Sequence, residues 1–84
     1  MTRLWPEGQA IDVEQDAQGA LVAFTWAQQR HHVAQLAQQW RVDVGWWRRR
    51  VWRAYYKLST DSGLLVVIYH ELPDGGWYLQ RLYD

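Results

Sequence analysis

The chain has 84 residues, no cysteine, and nine basic side chains balanced by nine acidic ones. A chain of this length is expected to form a single domain, residues 1–84, which buries only about 60% of the surface that its unfolded form exposes. Without cysteine it has no disulfides, and no apolar run resembles a signal peptide or a membrane span. We therefore expect a cytoplasmic protein without a membrane partner.

The sequence allows a flexible N-terminal arm over residues 1–9. Two strand-length runs follow this segment. Their apolar residues recur at period two, with Ile11 and Val13 in the first run and Val22, Phe24 and Trp26 in the second. This alternation is typical of strands with one buried face.

Residues 30–42 allow two interpretations. Helical spacing relates Val33, Leu36, Ala37 and Trp40, and the alanine and glutamine content favours a helix. Period-two spacing relates His32, Ala34, Leu36, Trp40 and Val42, with residues 27–29 as a short hairpin connection. Periodicity alone leaves both open.

The last third of the chain reads as three further strands. In residues 51–60 the predicted core face carries Trp52, Ala54, Tyr56 and Leu58, and the predicted solvent face carries Arg53, Tyr55, Lys57 and Ser59. Residues 64–69 are apolar on both faces, as in a central strand covered on both sides, and residues 77–82 form a final strand. Glycine-containing turn signals lie at residues 16–19, 60–63 and 73–76.

These runs predict an all-β fold, an antiparallel meander or partly open barrel of about five to six strands. The alternative is an α+β domain with a helix over residues 28–40. We expect Trp26, Trp40, Trp52 and Trp77 to be core residues, because each lies on an apolar face.

The balanced net charge hides a basic segment. Residues 30–57 contain seven basic side chains and one acidic side chain, a surplus of six (7 − 1), whereas both flanking segments are acidic. Trp46 and Trp47 are adjacent, so on an extended backbone they point to opposite sides and one of them is expected to be exposed. A local basic field is therefore a better guide to function than net charge.

An exposed indole beside arginines can stack on an unpaired base while the guanidinium groups contact phosphates, which suits single-stranded nucleic acid. The candidate binding residues are Trp46, Trp47, Arg48, Arg49, Arg50, Arg53, Tyr55 and Lys57, with Arg30 and Arg41 as extensions. The competing interpretation is a tryptophan that covers the end of a small barrel beside solvated arginines. Both remain open.

We find no catalytic site in the sequence. His31 and His32 diverge on a strand, His70 is distant in sequence, and no carboxylate stands at a ligand-like spacing, so neither a metal nor another cofactor is expected. Ser59 and Ser62 lack the glycine-flanked turn of a hydrolase nucleophile. The sequence therefore predicts a protein without enzyme activity.

A series of aromatic and basic motifs runs along the chain in a fixed order: Phe24-x-Trp26, Val33, Trp40-Arg41, Trp46-Trp47, Arg53-x-Tyr55-Tyr56, Gly63 and the closing Trp77-Tyr78-Leu79 with Tyr83-Asp84. This order resembles a small bacterial domain of unknown function at the C-terminus of ImuB-like proteins, which are relatives of Y-family translesion DNA polymerases. The resemblance covers about residues 10–84.

The resemblance implies a role in DNA damage tolerance or repair, and it favours a strand around Val33 and Trp40. Residues 27–29 depart from the family, whose members tend to carry a glycine and a further basic residue there. Two hypotheses follow: an accessory domain that binds nucleic acid, with single-stranded DNA favoured, or a module that docks on a repair or replication protein. A homo-oligomer is a further possibility, with the basic strip of one copy on an acidic segment of another.

Overall fold

The computed structural model describes residues 2–45 and 50–83. These residues form seven strands: β1 (Arg3–Ala10), β2 (Asp12–Gln15), β3 (Leu21–Trp26), β4 (Gln29–Gly45), β5 (Arg50–Thr60), β6 (Leu65–Glu71) and β7 (Trp77–Tyr83). All pairings are antiparallel, in the order β1-β7-β6-β5-β4-β3-β2, and the sheet curls into a half-barrel. The all-β prediction is confirmed, with seven strands in place of five to six.

The predicted alternative, a helix over residues 28–40, is wrong. These residues lie in the turn before β4 and in β4 itself, which pairs with β5 from Val33 to Gly45. Two register shifts, between Val33 and Gln35 and between Leu36 and Gln38, interrupt this pairing. Each shift adds one residue to β4. The added residues place apolar side chains three and four positions apart in the sequence, which is also their spacing in an amphipathic helix.

Strand β1 lies within the N-terminal segment for which the sequence allowed an arm. It pairs with β7, the Ile11 amide then donates to the Trp77 carbonyl at 3.1 Å, and β2 pairs with β3. The N-terminal part of the chain therefore supplies both end strands of the sheet, β1 and β2. Pro6 and Gly8 concealed this strand in the sequence, since both residues are depleted in strands and tolerated at edges and bulges.

The inner face of the half-barrel holds the main core. Its buried residues are Phe24, Leu58, Val66, Ile68, Leu79 and Leu82, and the half-buried Trp5, Trp26 and Trp77 pack against them. Strand β6 is covered on both sides, as predicted, because four consecutive residues, 66–69, are buried. Trp26, Trp52 and Trp77 are all half-buried; Trp26 and Trp77 pack against the predicted core, and Trp52 lies opposite Asp43 in the pairing of β4 with β5.

The three turns signalled by the sequence are present. The Asp16 carboxylate accepts hydrogen bonds from the amides of Gln18 and Ala20, both at 2.9 Å. The amide of Leu64 donates to the Thr60 hydroxyl, and the amide of Gly76 donates to the Asp74 carboxylate. Side-chain acceptors thus satisfy turn amides that no strand partner reaches.

The turn between β3 and β4 is strained. Ala27 and Gln28 have φ angles of 52° and 64°, and the flanking residues Trp26 and Gln29 pair directly. These are the features of a two-residue type I′ turn, in which glycine or asparagine is preferred because an L side chain in the left-handed region costs about 1–2 kcal/mol. The predicted hairpin connection is therefore present, with unfavourable residues in it.

We expect Gln28→Gly to raise the free energy of unfolding by about 1 kcal/mol, because glycine removes the left-handed strain at this turn. Urea denaturation followed by tryptophan fluorescence measures the change. Gln18→Gly is the matched control: Gln18 is an exposed turn residue without positive φ, so there the same substitution should be neutral or destabilising. Equal changes in the free energy of unfolding at both positions would show that the backbone at Gln28 is not strained.

Candidate nucleic-acid interface

The outer face of the sheet carries most of the described residues that the sequence assigned to binding. Residues opposite each other in an antiparallel pair share a face, so the register defines this surface. From β4 to β7 the outer face comprises Gln35, Gln38, Trp40, Val42, Val44, Val51, Arg53, Tyr55, Lys57, Ser59, Leu65, Val67, Tyr69, Glu71, Tyr78, Arg81 and Tyr83. It combines aromatic rings with cations.

Four aromatic rings form a row across the outer face, one from each strand from β4 to β7. Trp40 stacks on Tyr55 with ring centroids 5.3 Å apart and planes 3° apart. Tyr55 lies 5.4 Å from Tyr69, and Tyr69 stacks on Tyr78 at 5.2 Å. We call Trp40, Tyr55, Tyr69 and Tyr78 the aromatic row. Because its inner rings are covered by each other, they offer no free ring face to a base.

The row corrects two predictions. Tyr55 was expected to face solvent as a binding residue, but it is only 8% exposed and lies between Trp40 and Tyr69. Trp40 was expected in the main core, but it is half-buried on the opposite face of the sheet. The outer face thus has a small core of its own, because Tyr55, Val67 and Tyr69 need cover as much as the inner residues do.

Arg53 is part of this cover. Its guanidinium donates to the Glu71 carboxylate at 2.8 Å and lies 4.5 Å from the centre of the Tyr69 ring, and its side chain is 18% exposed. Burial lowers the pKa of Arg53, but hydrogen bonds to Tyr55 and Glu71 outweigh this effect and raise the pKa overall. The charge of Arg53 is therefore largely compensated inside the protein.

Lys57 and Arg81 are the outer-face cations without a carboxylate partner among the described residues. The Lys57 ammonium lies 5.1 Å from the centre of the Tyr83 ring, and the Arg81 guanidinium lies 5.6 Å from the same centre. Val67 separates them, as the residue opposite both. We call Lys57, Arg81 and Tyr83 the cation pair site. An aromatic ring carries no formal charge to compensate these cations, and both side chains are half-exposed.

The sequence identified Lys57 but missed Arg81. Arg81 stands among acidic residues in the chain, and a register shift between Val67 and Ile68 in the pairing of β6 with β7 changes which β7 residues face outward. The strand alternation that predicts faces fails across such a shift. Which residues of β7 face outward depends on how β7 pairs with β6, and a single sequence does not show that pairing.

The densest part of the predicted site, Trp46, Trp47, Arg48 and Arg49, lies outside the described residues. Arg50 begins β5, where its backbone is paired with Gly45. Of the two proposed extensions, Arg30 forms a salt bridge with Glu14 and its hydrogen bond lowers the pKa of that carboxylate, while Arg41 is exposed on β4.

The N-terminal segment holds the outer face in place at Gly8. The Tyr69 hydroxyl donates to the Glu7 carbonyl at 2.8 Å. A Cβ atom on Gly8 would lie 2.5 Å from that hydroxyl and 2.7 Å from the Cβ of Tyr78, and Gly8 has a φ of 76°. Only glycine fits this close approach of β1 to the aromatic row.

We expect Gly8→Ala to lower the free energy of unfolding by about 3 kcal/mol, the sum of left-handed strain and overpacking against Tyr69 and Tyr78. Gly63→Ala is the control, because Gly63 has a φ of 90° with nothing within 4 Å of an added Cβ. That variant should lose only about 1 kcal/mol. Equal losses in thermal or urea unfolding would show that the close approach is absent.

Burial raises the pKa of Tyr69, and the carboxylate of Glu71 adds to the rise while Arg53 opposes it. An unfolded tyrosine titrates near pH 10, so above that pH the unfolded state loses its proton first and the free energy of unfolding falls. We expect Tyr69→Phe to lose less stability than the wild type between about pH 9 and pH 11. Parallel losses in urea titrations would contradict this assignment.

The histidines occupy three separate environments. His31 is buried against Phe24, His32 contacts Arg30, and His70 stacks on Trp77 with ring centroids 4.2 Å apart. Among the described residues no three histidine or carboxylate side chains group together as metal ligands. Ser62 approaches His31 at 3.5 Å, but its hydroxyl also bonds Thr60 within the turn. This contact joins the turn to β4.

Comparisons with protein-family models, with curated proteins and with solved structures give no match to this chain. The described residues contain no helix that is long and apolar enough to cross a membrane. The structure therefore defines the class by itself: an all-β half-barrel domain with an outer aromatic row and an adjacent cation pair site.

Proposed function

We propose that this protein is a non-enzymatic accessory domain that binds nucleic acid, with single-stranded DNA favoured, and that it acts in DNA damage tolerance in the cytoplasm. The observation that carries the proposal is the surplus of positive charge on the outer face. The described outer-face residues of β4 to β7 include Arg53, Lys57 and Arg81 against Glu71 alone.

The surplus is concentrated at the cation pair site. Because Arg53 and Glu71 compensate each other, Lys57 and Arg81 supply the net positive charge. Both lie beside the Tyr83 ring, which holds their charges close to each other. Neighbouring cations on a half-exposed aromatic surface attract a phosphate backbone and release its counterions on binding.

The chain segment between β4 and β5 supplies the rest of the proposed surface. Lys57 lies on the same strand as Arg50, and the chain between Gly45 and Arg50 contains Trp46, Trp47, Arg48 and Arg49. In the proposal, one of the two tryptophans stacks on a base and the arginines contact phosphates. The rings of the aromatic row stay in the fold, since they already stack on one another.

The resemblance to the C-terminal domain of ImuB-like proteins supplies the proposed setting. In a translesion pathway, an accessory domain with this surface would hold unpaired template DNA. We propose no reaction for this chain: the three histidines lie in separate environments, and the Ser62 hydroxyl that approaches His31 also bonds Thr60 within its turn.

The double variant Lys57→Gln/Arg81→Gln should bind single-stranded DNA at least about tenfold more weakly at ~50 mM salt. Its slope of log affinity against log salt should fall by roughly 1.4, about 0.7 for each lost phosphate contact. Fluorescence anisotropy of a labelled oligonucleotide measures both quantities. Melting temperatures establish that the variants fold.

Arg3→Gln is the matched control for the single variants Lys57→Gln and Arg81→Gln. It removes the same formal charge from β1, outside the cation pair site, so its affinity should remain nearer that of the wild type. Equal weakening by all three single variants would show that only net charge matters. Absence of wild-type binding to any DNA or RNA at ~50 mM salt would refute the proposed function.

A protein-interaction module is the second candidate, since tryptophan, tyrosine and arginine also dominate protein interfaces. The observation that favours it is the unpaired far edge of β4, because exposed strand edges accept a further strand. If this candidate holds, Trp47→Ala and Arg49→Ala weaken a complex with a repair or replication protein without lowering the melting temperature. Unchanged complexes would remove these residues from the interface.

A further inference from the structure

Strand β4 has one edge with no described strand beside it over most of its length. On one side it pairs with β5 from Val33 to Gly45, but on the other it pairs with β3 only from Gln29 to His32. Beyond His32, no described strand pairs with that side. A cleft of about 430 Å³ separates the start of this edge from the turn at residues 16–19. The edge therefore presents backbone donors and acceptors to solvent.

The second half of the edge lacks several of the features that usually prevent strand addition. Proteins protect exposed edges with bulges, prolines and charged side chains, lysine above all. Both register shifts of β4 lie before Gln38, and from there to Gly45 the strand is regular and contains neither proline nor lysine. Val44, at 45% exposure, is one of the large apolar side chains that the described surface leaves open. A regular edge of this kind can take another strand if that strand places opposite charges against Arg41 and Asp43.

The sequence of the regular segment is complementary to itself in the antiparallel direction. With Val42 opposite its own copy, Arg41 lies opposite Asp43 of the second copy, and Trp40 lies opposite Val44. The face assignments agree, because Trp40, Val42 and Val44 are on the outer face while Arg41 and Asp43 lie on the inner side. This register forms two opposite-charge pairs and a continuous apolar stripe.

Neighbouring registers lose this complementarity. A two-fold axis at Arg41 places two guanidinium groups opposite each other, and an axis at Asp43 places two carboxylates opposite each other. An axis at Trp40 places Val42 opposite the polar Gln38 and leaves Arg41 opposite Gln39. Like charges directly across strands are destabilising, so the register centred on Val42 is the favoured one.

We propose that two copies of this chain pair through the β4 edge, antiparallel across a two-fold axis at Val42, with Gln39–Gly45 of each copy in contact. The interface is isologous, because each copy contributes the same segment. The axis is perpendicular to the sheet, so both outer faces lie on the same side of the dimer. Two cation pair sites would then share one surface, although the pairing itself requires no nucleic acid.

Disulfide trapping tests the register directly, since the chain has no cysteine of its own. Val42→Cys places two thiols opposite each other at the axis, where strand partners have Cα atoms about 4.5–5.5 Å apart, within disulfide range. Val44→Cys is the matched control, because its opposite residue is Trp40. Mild oxidation should cross-link the first variant at least about tenfold faster, as a Cα separation beyond ~7 Å prevents bridging.

Charge exchange provides the second test. In sedimentation equilibrium without nucleic acid, the wild type should dimerise, while Arg41→Asp and Asp43→Arg should each raise the dissociation constant at least about tenfold through like-charge pairs. The exchange variant Arg41→Asp/Asp43→Arg should recover dimerisation. Circular dichroism melting establishes that every variant is folded.

Three outcomes would overturn the proposal: a wild type that stays monomeric at millimolar concentration, single variants that dimerise as the wild type does, or an exchange variant that stays monomeric while folded. Equal cross-linking of the two cysteine variants would overturn the register. All of these measurements omit nucleic acid. A result against the dimer would therefore leave the proposed DNA binding unaffected, because anisotropy with a labelled oligonucleotide tests that binding separately.

Discussion

Cover on both faces of β6 is the constraint on which the rest of this structure depends. Val66 and Ile68 are buried on the inner face, while Val67 and Tyr69 are buried on the outer one. An apolar side chain contributes about 1.5–3 kcal/mol when fully buried, and a small domain without disulfides has few other sources of stability. The chain must therefore build two covering layers over one strand.

The outer layer consists of residues that in isolation suggest a binding surface. Tyr55 and Arg53 cover Tyr69 from β5, and β1 reaches its hydroxyl from the other side through the Glu7 carbonyl. Arg53 supplies a flat, weakly hydrated cation that can lie on a ring and still bond Glu71. Some of the aromatic and basic residues of this segment therefore stabilise the fold. Arg53 and Tyr55 have this structural role, whereas Lys57 belongs to the cation pair site.

The sequence predicted what depends on local alternation and turn chemistry. The runs around Phe24, Leu58 and Leu79 show the correct buried faces, and the glycines and aspartates at the turns mark where strands end. It failed where the register shifts. Bulges in β4 imitated a helix and left Trp40 on the outer face, and the shift between β6 and β7 concealed Arg81. A bulge is stabilised by the opposing strand, so the segment that contains it does not reveal it.

The two ends of the sheet order differ in a way that links fold to assembly. Near the N-terminus, β1 pairs with β7 and β2 pairs with β3. At the β1 end, Gly8 fits closely against the aromatic row. The second half of β4 receives no such neighbour within the described chain, although it carries a regular register and an apolar stripe. Because β4 is unpaired along that side within the described chain, its backbone retains hydrogen-bonding capacity there. Because the sequence of that edge matches its own reverse around Val42, a second copy of the same chain is the partner that the edge fits best.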